Sequence, residues 1–429
     1  MCGLVGILNF SRKKEDYNKE IFQMLNTIRH RGPDNTNMGY HKNYFYGFNR
    51  LSINDLSVNG NQPFENNKSI TMANCEIYNS LQLKETLNID SNKFNSNSDA
   101  EVIPFLYSKF DIDFLKQLDG MFALAIYDKN NDSFFLARDR LGIKPIYYYY
   151  DDNFFVFASE IKALLKLSFI NKNINLKTLN NYLISGFGKS ENTFINKIKI
   201  VPPGHFIQIN QKKIIIKNYY SRPNKFINYN SENEILENFD NLLDNSVKSH
   251  LISDVPTSLM LSYGKDSNIL RNKINQMNIN NFKTFTLGFD NFKKNEIFMN
   301  NNQNHENFKI NFNFFKNIEE SFIESMDQPT VDGLNTYILT KLISKKGYRV
   351  VLSGLGADEL LGGYRSFSFL PSIYKSNLNF HLITKMSYFY SYLANYQKSQ
   401  KLKKLYNANN FENIYSVFRD YSLFEECKK

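Results

Sequence analysis

The pattern of hydrophobic residues changes near residue 220, and this change constrains the possible folds more than any other feature of the sequence. Before it, short runs rich in aromatic and β-branched residues predict the strands of antiparallel sheets. After it, helical and strand patterns alternate, which predicts a parallel sheet with ligand-binding loops at the carboxyl ends of its strands. The 429 residues are therefore expected to form an α+β domain followed by an α/β domain.

The individual elements follow from the same patterns. In the first half, the runs that predict strands are 44–53, 69–78, 121–127, 133–138, 146–150, 154–158 and 205–216. The patterns that predict helices there are 17–29, 100–110 and 176–185, with Ser98 or Asp99 as the N-cap of the second. In the second half we predict helices at 232–251 and 337–346 and strands at 257–261, 284–289 and 349–352. The polar segment 217–232, which contains Pro223, is the expected linker.

Composition excludes several classes of protein. A formal net charge of +10 could indicate a nucleic-acid partner, but the basic residues form no dense stripe interleaved with aromatics, so we expect a solvated surface and no nucleic acid. Three cysteines cannot build a disulfide framework, which favours a reducing, cytoplasmic setting. The sequence contains neither a signal-peptide pattern nor an apolar run of roughly 18 residues, so we expect no membrane association. The histidines lack the spacing of a zinc site.

The segment CGLVG at residues 2–6 places a thiol directly before an apolar strand. Removal of Met1 would give Cys2 a free α-amine with a pKa of roughly 7.7 to 8.0, so one residue would supply both nucleophile and base. Taken alone, a small buried thiol is the commoner role for such a cysteine. The residues that accompany Cys2 therefore decide its interpretation.

Several polar segments could bind an amino acid that carries a side-chain amide. Arg50 ends a predicted strand and can form paired hydrogen bonds with a carboxylate. Glu76 and Asp99 can hold an ammonium group. Asn74, with a neighbouring backbone N–H, can stabilise the oxyanion that forms when a thiolate attacks an amide carbon. Glutamine has this combination of groups.

Two glycine-containing segments follow predicted strands in the second half, LSYGKDS at 261–267 and SGLGADELLGGY at 353–364. Backbone N–H groups at a helix N-terminus bind phosphate oxygens, and nearby carboxylates can hold Mg²⁺. The first segment differs from the Walker loop and, by itself, could be an ordinary strand–turn–helix. The pairing of Asp266 with the acidic residues of the second segment favours a metal–triphosphate site.

These motifs together resemble the glutamine-hydrolysing asparagine synthetases from residue 1 to about residue 368. Further matching segments are LDGMFA at 118–123, ARDRLGIKP at 137–145, FASEIKA at 157–163, VPPG at 201–204, TLGF at 286–289 and DQPT at 327–330. The resemblance implies a class II glutamine amidotransferase (glutaminase) domain at 1–220, with a four-layer αββα fold of the N-terminal-nucleophile type. It also implies an ATP-binding α/β domain at 233–429, with a parallel sheet of the adenine nucleotide α-hydrolase-like type.

The resemblance implies roles for individual residues as well. In the first domain Cys2 would be the nucleophile, and Asn74 with the N–H of Cys75 the oxyanion hole. Glutamine would be bound by Arg50, Glu76 and Asp99. ATP contacts are implied at Leu261, Ser262, Gly264, Asp266, Ser267, Leu287, Ser353 and Gly354, metal binding at Asp266 and Asp358, and the pyrophosphate or acceptor side at Glu359. The family has Gly where this chain has Cys75 and Tyr263, and we expect the Cys75 side chain to crowd the glutamine pocket.

The implied reaction is glutamine-dependent synthesis of asparagine. Ammonia from glutamine would attack the β-aspartyl-AMP formed from aspartate and ATP, with Mg²⁺ as cofactor. The sequence lacks the family's later run resembling EARVPFLD, so the second domain is expected to be truncated. A complementing C-terminal chain would then complete it, and a homodimer is the other expected assembly. Two alternatives stay open: an amidotransferase for another carboxylate, such as a sugar acid in cell-surface glycan synthesis, or a glutaminase-only or non-catalytic partner subunit.

Overall fold

The strands of the first part form two antiparallel sheets of six strands each. The computed structural model describes residues 1–11, 15–89, 91–188, 191–223, 227–279, 282–289, 304–375, 382, 385–386, 389, 392, 403–404 and 410–419. The strands of the first part are β1 Gly3–Asn9, β2 Asn35–His41, β3 Tyr44–Arg50, β4 Phe64–Glu65, β5 Ser69–Ile77, β6 Gly120–Asp128, β7 Ser133–Arg138, β8 Tyr147–Tyr150, β9 Phe154–Ala158, β10 Ile198–Ile200, β11 His205–Asn210 and β12 Lys213–Asn218. The first sheet has the order β10-β8-β9-β1-β3-β2, and the second has the order β12-β11-β7-β6-β5-β4.

Side chains alternate between the two faces of a sheet along each strand. Apolar residues lie on both faces of the two sheets, where they form separate clusters. Leu4 and Leu8 of β1 pack with Met72 of β5 in a core between the two sheets. Helices cover the outer faces: α1 Asn18–Thr27 and α4 Ile161–Leu164 on the first sheet, and α2 Ser80–Leu87 and α3 Val102–Phe110 on the second. The four layers are therefore helix, sheet, sheet and helix, which confirms the predicted αββα fold. A further helix, α5, spans Leu176–Ser185.

The second part contains a four-stranded parallel sheet of order β15-β14-β13-β16. Its strands are β13 Thr257–Met260, β14 Lys283–Phe289, β15 His305–Ile310 and β16 Val350–Leu352. The helices described in this part are α6 Glu232–His250, α7 Lys265–Gln276, α8 Phe312–Ser325, α9 Leu334–Lys345, α10 Ala357–Leu361, α11 Arg365–Lys375 and α12 Phe411–Arg419.

Helices lie on both faces of this parallel sheet. Leu259 of β13 packs with residues of α6 and α7, whereas the next residue, Met260, packs with residues of α9. Consecutive residues of a strand point to opposite faces, so the two clusters lie on opposite sides of the sheet. The α/β architecture predicted for the second part is confirmed.

Some predicted elements differ from the structure. The run 205–216 forms two strands joined at Gln211 and Lys212, which both have positive φ angles. The predicted strand 44–53 ends at Arg50, and the residues that follow form a loop. The strands β2, β4, β10 and β15 and the helices α2, α4, α8 and α10 were not predicted. In the part of the chain that the structure describes, no helix is both long enough and apolar enough to cross a bilayer.

Candidate active sites

A small pocket in the first part contains every residue that the sequence suggested for glutamine chemistry. It lies at the start of β1, the end of β3 and the end of β5. The residues from the sequence prediction that line it are Cys2, Arg50, Asn74, Cys75, Glu76 and Asp99. Residues separated by almost a hundred positions in the sequence are thereby brought to one place.

Cys2 is fixed by backbone and side-chain contacts on both sides. Its carbonyl oxygen accepts a hydrogen bond from Arg31 Nε at 2.9 Å, and Arg31 Nη1 in turn contacts Glu160 Oε1 at 3.0 Å. The Cys2 thiol lies 3.4 Å from the backbone nitrogen of Leu51, which donates to it. Burial raises the pKa of the Cys2 thiol, so the thiol needs a base before it can act as a nucleophile.

The pocket has a volume of about 40 Å³, which is room for about one water molecule. Met1 is part of its lining. Burial lowers the pKa of the Met1 α-amino group to about 5. The nitrogen of Cys2, which is an amide while Met1 is attached, donates to Asn74 Oδ1 at 3.1 Å. Loss of Met1 would therefore enlarge the pocket and leave the new amine beside Asn74.

Two hydrogen-bond donors next to Cys2 are available to a ligand. Asn74 is 2% exposed, and its Nδ2 atom has no hydrogen-bond partner among the residues that the structure describes. Such a buried, unpaired donor is costly unless a ligand uses it. The second donor is the backbone N–H of Cys75, whose direction follows from the hydrogen bonds of its neighbours in β5.

The N–H groups of alternate residues in a strand point to the same edge. On β5, the Ala73 N–H donates to the side chain of Gln62 at 2.6 Å, and the Ile77 N–H donates to Asp99 Oδ2 at 2.6 Å. Both therefore point away from β6 and towards the open edge of the sheet. The Cys75 N–H lies between them in register and faces the same edge, beside Asn74.

Two carboxyl groups share the other side of the pocket. Glu76 Oε2 accepts a hydrogen bond from Asn54 Nδ2 at 2.9 Å, and Asp99 Oδ2 lies 3.7 Å from the Cys75 thiol. Burial, together with the charge of Asp99, raises the pKa of Glu76 to about 7. Burial also raises the pKa of Asp99. A cation in this pocket would favour the ionised form of both groups.

Arg50 is engaged with the loop that follows β3. Its Nη1 donates to the carbonyl oxygen of Ser57 at 2.6 Å and to Asn61 Oδ1 at 2.9 Å, and its Nη2 contacts the carbonyl oxygen of Asp55. The guanidinium group thus holds residues 54–61 in place while it also lines the pocket.

A second cavity, of about 520 Å³, lies at the carboxyl ends of β13, β14 and β16. Strand β13 lies between β14 and β16, so the chain leaves it in one direction and later returns on its other side. Ligands of open α/β sheets bind at this kind of switch point. The residues of the ATP prediction that line the cavity are Leu261, Ser262, Gly264, Asp266, Ser267, Leu287, Ser353, Gly354, Asp358 and Glu359.

The loop between β13 and α7 is held by its own side chains. Ser267 Oγ accepts from the Ser262 N–H at 3.0 Å, and Ser262 Oγ accepts from the Gly264 N–H at 3.1 Å. Gly264 precedes the first helical residue of α7, and within the described part of the chain no side chain caps this end. The first N–H groups of the twelve-residue helix are therefore available to an anion, and the helix dipole favours negative charge there.

The donor set of this cavity fits a magnesium ion that arrives with a nucleotide. Asp266, Asp358 and Glu359 present carboxylates to the cavity. Among the described residues, no three His, Cys, Asp or Glu side chains lie close enough together to hold a metal by themselves. Magnesium in nucleotide sites is bound through one or two carboxylates, with phosphate oxygens and water as the remaining ligands, so these residues meet that requirement.

Several lining residues were not predicted from the sequence. Lys144, which is buried, and Gln62 line the first pocket, and Asn335 and Tyr364 line the second cavity. Lys144 and Tyr364 belong to segments that the sequence analysis had quoted without giving either residue a role, whereas neither spacing nor periodicity singled out Gln62 and Asn335. Tyr263, which stands where the resemblance implies Gly, lines the second cavity and is half exposed.

Comparisons with known proteins match two consecutive parts of the chain, which correspond to the two parts of the fold. A family model described as a glutamine amidotransferase domain matches residues 1–220, and one described as asparagine synthase matches residues 238–421. A putative glutamine-hydrolysing asparagine synthetase 2 of Methanocaldococcus jannaschii is 34% identical over 395 residues, covering 85% of this chain and 76% of that one.

Two bacterial relatives have similar names. Glutamine-hydrolysing asparagine synthetase 1 of Bacillus subtilis is 32% identical over 86% of this chain, which spans 59% of its length. Asparagine synthetase B of Escherichia coli is 29% identical over 87% of this chain, which spans 66% of its length. Among solved structures, the glutamine phosphoribosylpyrophosphate amidotransferase of B. subtilis aligns with a TM-score of 0.39 and 15% identity, over 67% of this chain and 75% of that one.

Proposed function

Because the chain belongs to the family of glutamine-hydrolysing asparagine synthetases, we propose that it is an ATP-dependent carbon–nitrogen ligase with glutamine as the amido donor. Residues 1–220 would form the glutaminase domain and residues 233–429 the ATP-binding domain. The observation that carries the proposal is the position of Asn74, whose Oδ1 accepts from the Cys2 nitrogen while its Nδ2 has no hydrogen-bond partner among the described residues.

In the first site, removal of Met1 gives Cys2 a free α-amine, which takes the proton of the thiol. The thiolate attacks the side-chain amide carbon of glutamine. Asn74 Nδ2 and the Cys75 N–H donate to the oxyanion that forms. Arg50 binds the α-carboxylate of glutamine, and Glu76 and Asp99 bind its α-ammonium. The amine proton passes to the leaving nitrogen, ammonia departs, and water hydrolyses the thioester to glutamate.

In the second site, ATP binds in the cavity at the ends of β13, β14 and β16. The side of the cavity formed by Leu261, Leu287, Ser353 and Gly354 holds the adenosine, and the loop from Ser262 to Ser267 holds the phosphates. Magnesium, held by Asp266 and Asp358, would neutralise phosphate charge. Glu359 faces the pyrophosphate or the acceptor.

The proposed acceptor is aspartate. An oxygen of the β-carboxylate of aspartate attacks the α-phosphorus of ATP, pyrophosphate leaves, and ammonia then displaces AMP from the β-acyl carbon to give asparagine. Ammonia would travel between the two sites inside the protein, because water would protonate it and remove its nucleophilicity.

Paired variants test the proposal. Cys2→Ala should abolish glutamate release from glutamine but leave the ammonia-dependent formation of AMP and pyrophosphate with aspartate. Asp266→Asn should do the reverse. Glutamate release that persists in Cys2→Ala, or loss of both activities in a folded Cys2→Ala protein, would contradict the assignment of two separate sites.

A further inference from the structure

The loop at residues 51–57, which we call the pocket loop, forms one wall of the glutamine pocket. Leu51, Ile53 and Asn54 line the pocket. Within the first domain the pocket loop is held by the Arg50 guanidinium and by the bond from Asn54 Nδ2 to Glu76. Its position therefore governs both the space next to Cys2 and the orientation of Glu76.

The second domain also holds the pocket loop, through Asp254. This residue lies between α6 and β13. Its Oδ2 accepts a hydrogen bond from the Asp55 N–H at 2.7 Å, and its own N–H donates to the Ile53 carbonyl oxygen at 3.0 Å. The two bonds span three consecutive residues of the pocket loop and fix its backbone from outside the first domain.

Arg349, which directly precedes β16, makes a second attachment. Its Nη1 lies 2.5 Å from Asp34 Oδ2 and 3.3 Å from the carbonyl oxygen of Ser52. Asp34 Oδ2 also accepts from the Ser52 N–H at 2.8 Å. Because the Arg349 side chain is 39% exposed, the charge pair alone contributes little stability. Its effect is geometric, since both polar groups of the Ser52 backbone are held.

Both attachments precede strands that lead to the ATP cavity. Asp254 lies before β13 and Arg349 before β16, and the loops after these two strands carry Ser262 and Ser353. The residues before the two strands thus contact the pocket loop, while the loops after the strands line the proposed nucleotide site. Two short strands therefore connect the sites: β13, which has four residues, and β16, which has three.

We propose that Asp254 and Arg349 are positioning residues for the glutamine pocket, so that the second domain completes the binding site of the first. This inference rests on the proposed glutaminase function. Neither residue contacts Cys2, Asn74 or Cys75, so the attachment should act on glutamine binding more than on the chemical step.

The test compares four variants of the full chain: Asp254→Ala, Asp254→Asn, Arg349→Ala and Arg349→Lys. The controls are Asp332→Ala and Lys345→Ala, which change exposed residues. We expect the two alanine variants to raise the KM for glutamine about tenfold, because small displacements of a binding wall are costly, with kcat within about twofold. Asn can still accept the Asp55 N–H, so Asp254→Asn should recover most of the affinity. Arg349→Lys should recover less, because one ammonium group cannot reproduce the guanidinium geometry.

A double variant strengthens the test. Because both residues act on one loop, the effects of Asp254→Ala and Arg349→Ala on KM should combine non-additively. Equal KM values in the wild type and in all variants would overturn the proposal, as would changes confined to kcat.

A second readout does not need catalysis. The rate at which iodoacetamide alkylates Cys2, followed by mass spectrometry, should rise several-fold in the two alanine variants, because a displaced pocket loop exposes the thiol. A wild-type protein that releases no glutamate would refute the proposed function. Alkylation rates equal to those of the controls would separately refute the positioning role.

Discussion

At the scale of single residues, Cys75 has two separable parts. Its backbone N–H faces the open edge of β5, beside the unpaired amide of Asn74. Its thiol lies 3.7 Å from Asp99 Oδ2 and takes up space in a pocket of about 40 Å³. The backbone could therefore serve the proposed oxyanion hole while the side chain restricts the site that would bind the substrate ammonium.

Replacement of Cys75 by Gly should separate these two parts. Removing the thiol enlarges the pocket and leaves Asp99 to the ligand, so we expect the KM for glutamine to fall about tenfold. The N–H survives, and kcat should stay within about threefold. Steady-state glutaminase kinetics give both constants. Cys75→Ser, which keeps a donor of similar size, is the matched control, and equal KM values for the Gly and Ser variants would contradict the interpretation.

The pKa of Glu76 predicts how glutamine binding depends on pH. Burial and the charge of Asp99 raise this pKa to about 7, so the carboxyl group is protonated below that pH and ionised above it. If Glu76 binds the substrate ammonium, the KM for glutamine should fall as the pH rises from 6 to 8. The Glu76→Gln variant cannot ionise, and its KM should be high and vary less over the same range. An identical pH profile for both proteins would argue against this role.

At the scale of elements, β5 shows how side chains can replace a missing strand. Strand β4 pairs with β5 only at Thr71 and Ile70. Beyond that point Gln62 takes over, with its Nε2 donating to the Ala73 carbonyl oxygen at 3.0 Å and its Oε1 accepting from the Ala73 N–H. Between Ala73 and Ile77, whose N–H donates to Asp99, this edge faces the pocket, and the Cys75 N–H points into it.

Gln62→Ala should weaken this edge. It leaves both polar groups of Ala73 without a partner, at a cost of about 2 kcal/mol. We expect hydrogen exchange of the Ala73 amide to speed up by tenfold or more, and the KM for glutamine to rise. Asn59→Ala, at an exposed position near by, should leave the exchange rate unchanged. Unaltered protection of the Ala73 amide in Gln62→Ala would show that the Gln62 side chain contributes little to the stability of this edge.

The sequence predicted those elements whose pattern is regular. The bounds of β7, β9 and α5 agree with the predictions residue for residue. The missed strands β2 and β15 are edge strands and carry many polar residues, so they lack the apolar alternation that identifies a strand. The hairpin of β11 and β12 was read as one strand because its turn consists of Gln211 and Lys212, whereas Gly or Asn usually marks such turns.

The residues of the two sites were predicted only in part. Motif resemblance brought together residues as distant as Cys2 and Asp99, which now line one pocket. Gln62 and Asn54 could not be found in this way, because their importance comes from tertiary contacts with β5 and Glu76. The role of Asp254 likewise depends on how two domains meet, which no local pattern encodes.

At the scale of the whole molecule, the two domains meet at several points besides the pocket loop. Asp327, between α8 and α9, accepts hydrogen bonds from the N–H groups of Ile161 at 2.9 Å and Lys162 at 3.0 Å. The next residue, Gln328, donates to the Tyr147 hydroxyl at 3.1 Å. A half-buried carboxylate that accepts two backbone bonds holds the second domain against the first.

Asp327→Ala should loosen this contact. Two backbone N–H groups would lose their acceptor, and we expect the free energy of unfolding to fall by about 2 kcal/mol, with the calorimetric transition broadening as the domains separate. Asp327→Asn retains one acceptor oxygen and should lose less. Asp332→Ala, on the same connection but exposed, is the control. A thermogram for Asp327→Ala that matches this control would show that the carboxylate does not hold the domains together.

The contacts at Asp254, Asp327 and Arg349 have a consequence for the peptide that joins the domains. Residues 221–223 and 227–230 are largely exposed, and the relative placement of the domains is set by side chains that lie elsewhere. A protease site engineered into this stretch could therefore be cut without releasing either fragment. The nicked protein should elute as one species from a gel-filtration column and keep its glutamine kinetics, whereas an isolated fragment ending at residue 220 should bind glutamine poorly.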